Sequence, residues 1–507
     1  MNKNKVSAFA AALLAAALML SGCGSGNEAD WEDTLPSAVT TAPKNEVSVI
    51  EAETNPPISI SVPETTTSTE RSTELATTTV PPETSSEGLP IPSASQAATS
   101  PDLSVLSESS SPSVTTTVPP AGTTAASSET TTFVTTETTV TAAPVKRADG
   151  EYVFVKGAPI QKAYPYNTLD SNKKAAYDAM LKAIKAHDDR FDMPEEVRIS
   201  GDEYVELYQL IYDFEYSIFD LDVNIRYTSA SNTGDVVSAQ LSYLYTAEQV
   251  DDMQKKIDAA ADRIISELSD GMSEYEIVKF FYDKLASEIE YNENAENLRD
   301  IYGALVEKST VCGGYARAFS YLCSKVGIET ITTLGDFNET PHMWNMVKID
   351  GNWYHVDVTS GNATNTEFPY IRYDYFCVTD DIINKYHVLY DQPFDYPKAA
   401  SEKYNYFVYN NLVARDVPEA AALIADEIIK ASKAKIPAVQ FACADDKTFE
   451  DVIYYLFDPD QRHAIDIYEN TYDSAENKYK IDSIQYHSDP KTRVIKLFLQ
   501  YLGGENG

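Results

Sequence analysis

"STVCGGYARAFSYLCSKVGI", residues 309–328, is the stretch on which the fold turns. Tyr315, Ala316, Phe319, Leu322, Cys323 and Val326 recur at intervals of three and four, the spacing of an amphipathic helix, and Gly327 follows as a C-terminal stop. Cys312 then stands at the N-terminal end of that helix, just after the β-branched Thr310 and Val311. Unpaired amides and the helix dipole at such an end stabilise a thiolate and lower its pKa. Gly313 and Gly314 are expected to keep the space around the sulfur open to a substrate backbone. Cys323 lies eleven positions further on, roughly 16 Å along a helix. A disulfide needs Cα atoms within about 7 Å, so the helix excludes that partner and makes Cys323 a core residue.

A thiolate nucleophile needs a base, and the base needs an orienting group. "PHMWNMVKIDGNWYHVDVTSG", residues 341–361, contains Asp350-Gly351, a strong two-residue hairpin signal. Such a turn pairs Ile349 with Asn352, Trp344 with Asp357 and His342 with Thr359. His342 and Asp357 become diagonal neighbours on one face, about 7 Å apart between Cα atoms and closer between side chains. His355 points to the same face but pairs with Met346, and we read it as structural. His187, His387, His463 and His487 are read the same way. No His-x-x-x-His or Cys-x-x-Cys spacing is present, so no metal and no cofactor is expected.

The remainder sets the context. The chain has 507 residues and a formal net charge of −38, which disfavours nucleic acid as a partner. Residues 1–23 read as an export signal: Lys3 and Lys5, then a small and apolar run over 6–20, then Leu20-Ser21-Gly22-Cys23, which is similar to a bacterial lipobox with Cys23 as the lipidated residue. The expected location is extracytoplasmic, on the outer face of a bacterial cell membrane, with membrane contact only through that lipid anchor. Residues 24–147 are dominated by Thr, Ser, Pro, Ala and Glu without apolar periodicity, the composition of a disordered stalk. Residues 148–255 read as an N-terminal, mostly helical α+β region, with a strand over 152–155, helices over 171–187 and 202–214, and paired strands around "SNTGD". Residues 256–395 form the cysteine-bearing core, and 396–507 a small α/β domain. In that last domain "YNYFVYN" (404–410) and "AIDIYE" (464–469) read as strands. Cys377 and Cys443 sit in apolar strand-like runs. Core is the preferred reading for both, with a bridge between them left open.

"TVCGGYARAF", "HMWNMVKIDGNWYHVDVTSG" and "YDYFCVT" together resemble the transglutaminase-like superfamily. Its bacterial members often read Val-Cys-x-Gly-Tyr, then His-Ala-Trp-Asn, then an aspartate in a Trp-Tyr-x-Val-Asp-x-Thr strand. The resemblance implies an α+β, papain-like core, a cysteine-bearing helix on an antiparallel sheet. It also implies Cys312 as nucleophile, His342 as base and Asp357 as the orienting group. Gly313, Gly314, Tyr315 and Trp344 are expected at the substrate cleft. The backbone of Cys312 is expected to serve the oxyanion, with Tyr291 as a second donor. Met343 and Ser360 depart from the common pattern, where alanine and tryptophan are usual. The implied activity is acyl transfer or peptide hydrolysis through a Cys312 thioester, on a protein, peptide or cell-wall peptide. The alternatives are a catalytically silent binding or scaffold module and a passive adhesin on the Thr-rich stalk. An adhesin accounts for the stalk and not for the three-residue set.

Overall fold

The computed structural model describes residues 58–61, 145–146, 152–153 and 164–503, apart from 223, 231, 365–367, 459–461 and 482. The export signal, Cys23 and nearly all of the stretch read as a stalk lie outside the described residues. Two short strands inside that stretch are described. Ile58–Ser61 pairs antiparallel with Ser483–Asp489, and Val145–Lys146 pairs with Tyr152–Val153. Among the described residues, no helix is long and apolar enough to cross a membrane.

The chain is α+β. Its centre is an antiparallel sheet of five strands in the order Phe376–Val378, Asn352–Val356, Thr340–Ile349, Thr330–Phe337 and His387–Leu389. The expected hairpin is present, with Ile349 opposite Asn352 and the ladder running to Asn345 opposite Val356. Asp350 and Gly351 both adopt positive φ, +54° and +78°, as a tight hairpin turn between twisted strands requires. The cysteine helix, Cys312–Lys325, packs on this sheet. Val347, Ile349, Tyr354 and Val356 join the core beneath the helix, with Phe319 and Leu322. Ile331, Met346 and Trp353 join a second core with the N-terminal region. The sheet is therefore covered by two different layers.

The N-terminal layer is built from the helices Ser171–Lys185 and Gly201–Phe214 and a three-stranded sheet, in which Val236–Gln240 lies between Arg190–Asp192 and Arg226–Ser229. Ser200 caps the second helix in a reciprocal capping box with Glu203. Ser273 and Glu276 do the same for Glu274–Glu288, which packs against the cysteine helix. The C-terminal module has a sheet in the order Ile58–Ser61, Ser483–Asp489, Val494–Phe498, Ala438–Cys443 and Val413–Ala414. The helices Val417–Ala434, Asp446–Phe457 and His463–Tyr472 pack with it.

Two expected strands are helices. Tyr406–Tyr409 is a single helical turn capped by Asn405, whose side chain accepts from the amides of Phe407 and Val408, and Tyr406 stacks on Tyr373 at 3.7 Å. "AIDIYE" lies within the helix His463–Tyr472, which buries Ala464, Ile465, Tyr468 and Thr471, a helical spacing that the alternation of its first six residues hides. Cys312, Cys323, Cys377 and Cys443 are all free thiols and buried, so the bridge left open between Cys377 and Cys443 is absent.

Candidate active site

The site is assembled where the start of the cysteine helix meets the start of the strand Thr340–Ile349. Thr310 and Val311 fix the approach: the Thr310 hydroxyl and the Val311 amide both donate to the Leu298 carbonyl, at 2.7 and 3.0 Å. Val311 is the N-cap residue and offers no side-chain acceptor to the first helical amides. From the strand, Asn345 Nδ2 donates to the Ala316 carbonyl at 3.0 Å and to Ser320 Oγ at 2.8 Å. That clamp sets His342, three residues upstream, beside Cys312.

Asp357 follows the strand Asn352–Val356, beyond a register shift between His355 and Val356. Its amide donates to the Tyr375 carbonyl at 3.0 Å. His342 Nε2 lies 2.9 Å from Asp357 Oδ2, which leaves Nδ1 for the thiol, and the His342 and Cys312 side chains are hydrogen-bonded. Asp357 is fully buried; Cys312 and His342 retain 7% and 8% exposure. A wall of Ala316, Leu334, Met343 and Tyr390 packs around the sulfur.

The electrostatics favour charge separation. Burial works against ionisation at all three groups. At Cys312 the hydrogen bond and charge of His342, with the Met343 amide, outweigh it and hold the thiol below its usual range. At His342 the charge and hydrogen bond of Asp357, then those of Cys312, raise the imidazole well above its usual value. At Asp357 the charge and hydrogen bond of His342, then His387, hold the carboxyl well below the usual range. These directions favour a thiolate–imidazolium pair on a buried carboxylate.

Cys312, His342 and Asp357 thus come together. The four residues expected at the cleft, Gly313, Gly314, Tyr315 and Trp344, are buried. Gly314 is needed for packing: a Cβ there would collide with the Thr310 side chain. A Cβ on Gly313 would press on Arg299 at 3.3 Å. Tyr315 is buried and its hydroxyl donates to the Ile289 carbonyl at 2.6 Å. Trp344 is buried, lies parallel to His342 at 6.0 Å, and donates its indole N–H to His355 Nδ1 at 3.1 Å. These side chains hold the site from behind. Tyr291 does lie in the electrostatic neighbourhood of Cys312, and burial followed by that thiol raises its hydroxyl pKa.

Two further side chains that the sequence did not place at the site contact Asp357. Ser360 Oγ donates to Asp357 Oδ2 at 2.6 Å, and its amide donates to Oδ1 at 3.2 Å. Its departure from the usual tryptophan was the available signal. His387, read from the sequence as structural, places Nε2 3.2 Å from the same Oδ2. Among the described residues, His342, Asp357 and His387 are also the group of metal-ligating side chains whose atoms come close together. Both imidazoles address one carboxylate oxygen at hydrogen-bond lengths, 2.9 and 3.2 Å. A cation would displace the protons that make those contacts.

A family model for the transglutaminase-like superfamily matches residues 259–358, a range that contains Cys312, His342 and Asp357 and stops short of His387. Kyphoscoliosis peptidase of Mus musculus is 26% identical over 156 residues, covering 25% of this chain and 24% of that protein. The chain therefore spans about a quarter of the length of the curated relative it matches. Among solved structures, a TGase is 15% identical with a TM-score of 0.20, over 34% of this chain and 51% of the other. A candidate cysteine protease from Cytophaga hutchinsonii is 15% identical with a TM-score of 0.19, over 29% and 64%.

Proposed function

We propose, from the premise that residues 259–358 are a transglutaminase-like domain, that this protein transfers the acyl group of an amide through a thioester on Cys312. The Cys312 thiolate attacks the carbonyl carbon. The oxyanion takes a hydrogen bond from the Cys312 amide, at a helix end that no side chain caps. Tyr291, kept protonated beside the thiol, is the second donor in this reading. His342 passes its proton to the leaving nitrogen as the C–N bond breaks. Water or a second amine then attacks the thioester, gives a proton to His342 and releases the sulfur. The observation that carries this reading is the 2.9 Å His342–Asp357 contact beside a thiol held below its usual pKa.

The substrate class is a protein, a peptide or a cell-wall peptide, presented to an enzyme tethered outside the cell through Cys23 and the Thr/Ser/Pro-rich stretch. The second reading, a silent binding module of the same fold, draws on one observation: Cys312 and His342 are almost covered. Incubation with casein and hydroxylamine separates the two. An acyl-transferase forms hydroxamate, and a peptidase releases new N-termini. Both products vanish in Cys312→Ala. A protein that yields neither, while Cys312 alkylates as a low-pKa thiol, is the silent module.

A further inference from the structure

We infer that His387 is a positioning residue for the catalytic carboxylate: a second, neutral imidazole that shares Asp357 with His342. It rests on the reading of Cys312, His342 and Asp357 as a catalytic set, and it concerns a residue outside the matched family range.

His387 opens the edge strand His387–Leu389, paired with Phe337, and its side chain is wholly buried. Its ring is enclosed by Phe337 at 4.7 Å, Trp344 at 4.8 Å and Tyr375 at 5.0 Å, which leaves little freedom to turn. Nε2 faces Asp357 Oδ2 at 3.2 Å, and an ionised carboxylate only accepts, so Nε2 carries the hydrogen. Nδ1 is buried without a hydrogen-bond partner. A second proton there would be a buried, unpaired N–H⁺, whereas a bare lone pair costs much less. The ring is therefore neutral, with its one hydrogen aimed at the carboxylate.

Oδ2 then receives three donors: His342 at 2.9 Å, His387 at 3.2 Å and Ser360 Oγ at 2.6 Å. Each donor draws charge from the oxygen and lowers its affinity for the His342 proton. The carboxylate still aligns His342 but binds its proton less tightly, which frees that proton for the leaving amine. The other titratable groups facing this cluster are Cys312, Tyr282, Tyr291 and Tyr375, with His355 and its partner Asp380 behind.

The chain has six histidines, so selective ¹⁵N-histidine labelling of the full protein gives a readable imidazole spectrum. The wild-type protein is expected to show His387 as the Nε2–H tautomer, its hydrogen on Asp357. A charged ring, or the Nδ1–H tautomer, overturns the proposal without any variant. His387→Leu removes the donor and is expected to move the His342 titration up by about one pH unit, the scale of one hydrogen bond to a charged group. His387→Gln, whose amide nitrogen falls near the Nε2 position, is expected to restore it. A His342 titration that is the same in both variants reduces His387 to packing. Equimolar zinc retained by the wild type and lost in His387→Leu makes the cluster a metal site instead. Failure of the underlying catalytic reading is seen separately, as ordinary-thiol behaviour of Cys312 in the wild-type protein.

Discussion

Two histidine–aspartate pairs stand at the central sheet, and their imidazoles are shifted in opposite directions. His342 and Asp357 are 2.9 Å apart; His355 and Asp380 are 3.0 Å apart. His342 is raised well above the ordinary imidazole value, while His355 is lowered, because burial at His355 outweighs the hydrogen bond and charge of Asp380. The carboxylates differ. Asp357 has no exposed side-chain surface, whereas Asp380 keeps 28% and also accepts from the Ala399 amide. The other ring nitrogens differ too. His342 meets a thiol that can give up a proton, and His355 Nδ1 accepts the indole N–H of Trp344, which requires it to stay unprotonated. A histidine–carboxylate contact does not by itself make a base. A fully desolvated carboxylate on one side and an acid on the other do.

The sharpest way to break this comparison is to neutralise each carboxylate. Asp357→Asn is expected to lower acyl transfer about a thousandfold or more, because the base loses its orienting charge. Asp380→Asn is expected to change it less than about threefold, in the same assay. His355→Leu should act on stability instead. It leaves the Trp344 N–H buried and unpaired, a cost of about 1–3 kcal/mol in chemical denaturation, with the Cys312 alkylation profile unchanged. The pH dependence of stability should carry both signs. His342 is raised on folding, so its contribution is full below its unfolded value of about 6.5 and is lost as pH rises through the folded value. His355 is lowered, so its neutral form supports folding above about 6.5, and that support is lost as pH falls through the folded value. Denaturation midpoints from pH 5 to 9 should therefore show a shallower acid-side fall in His355→Leu, with the remainder due to His487, which burial also lowers, and the full fall in Cys312→Ala. An intermediate effect on activity is expected for Ser360→Ala, which removes one of the three Oδ2 donors. The backbone bond to Oδ1 remains, and activity should fall by no more than about tenfold.

The parts of the site that were legible in sequence are those set by local periodicity. The three- and four-residue stripe after Tyr315 located the helix and its thiol end, and Asp350-Gly351 set a register that brings Asp357 to His342. His387 was hidden because it sits 30 residues beyond Asp357 on an edge strand, and only the closure of the sheet joins them. The burial of the residues expected at the cleft was hidden for a related reason. Spacing tells which side chains neighbour the thiol along the chain, but burial decides whether they face substrate. Thr310 fills the space beside Gly314, and the Ile289 carbonyl takes the Tyr315 hydroxyl. The two mistaken strands are tyrosine-bearing runs whose β propensity yielded to capping by Asn405 and to packing of the helix His463–Tyr472.

The central claim is that Cys312 and His342 exist as a thiolate–imidazolium pair, and the pH dependence of Cys312 alkylation by iodoacetamide tests it most directly. Peptide mapping distinguishes Cys312 from Cys323, Cys377 and Cys443, whose thiols burial pushes upward. The account predicts that the rate at Cys312 reaches its plateau below the ordinary thiol range, and that His342→Ala moves the titration above that range. A wild-type titration at or above the ordinary thiol value of about 8.5, unmoved by His342→Ala, would contradict it.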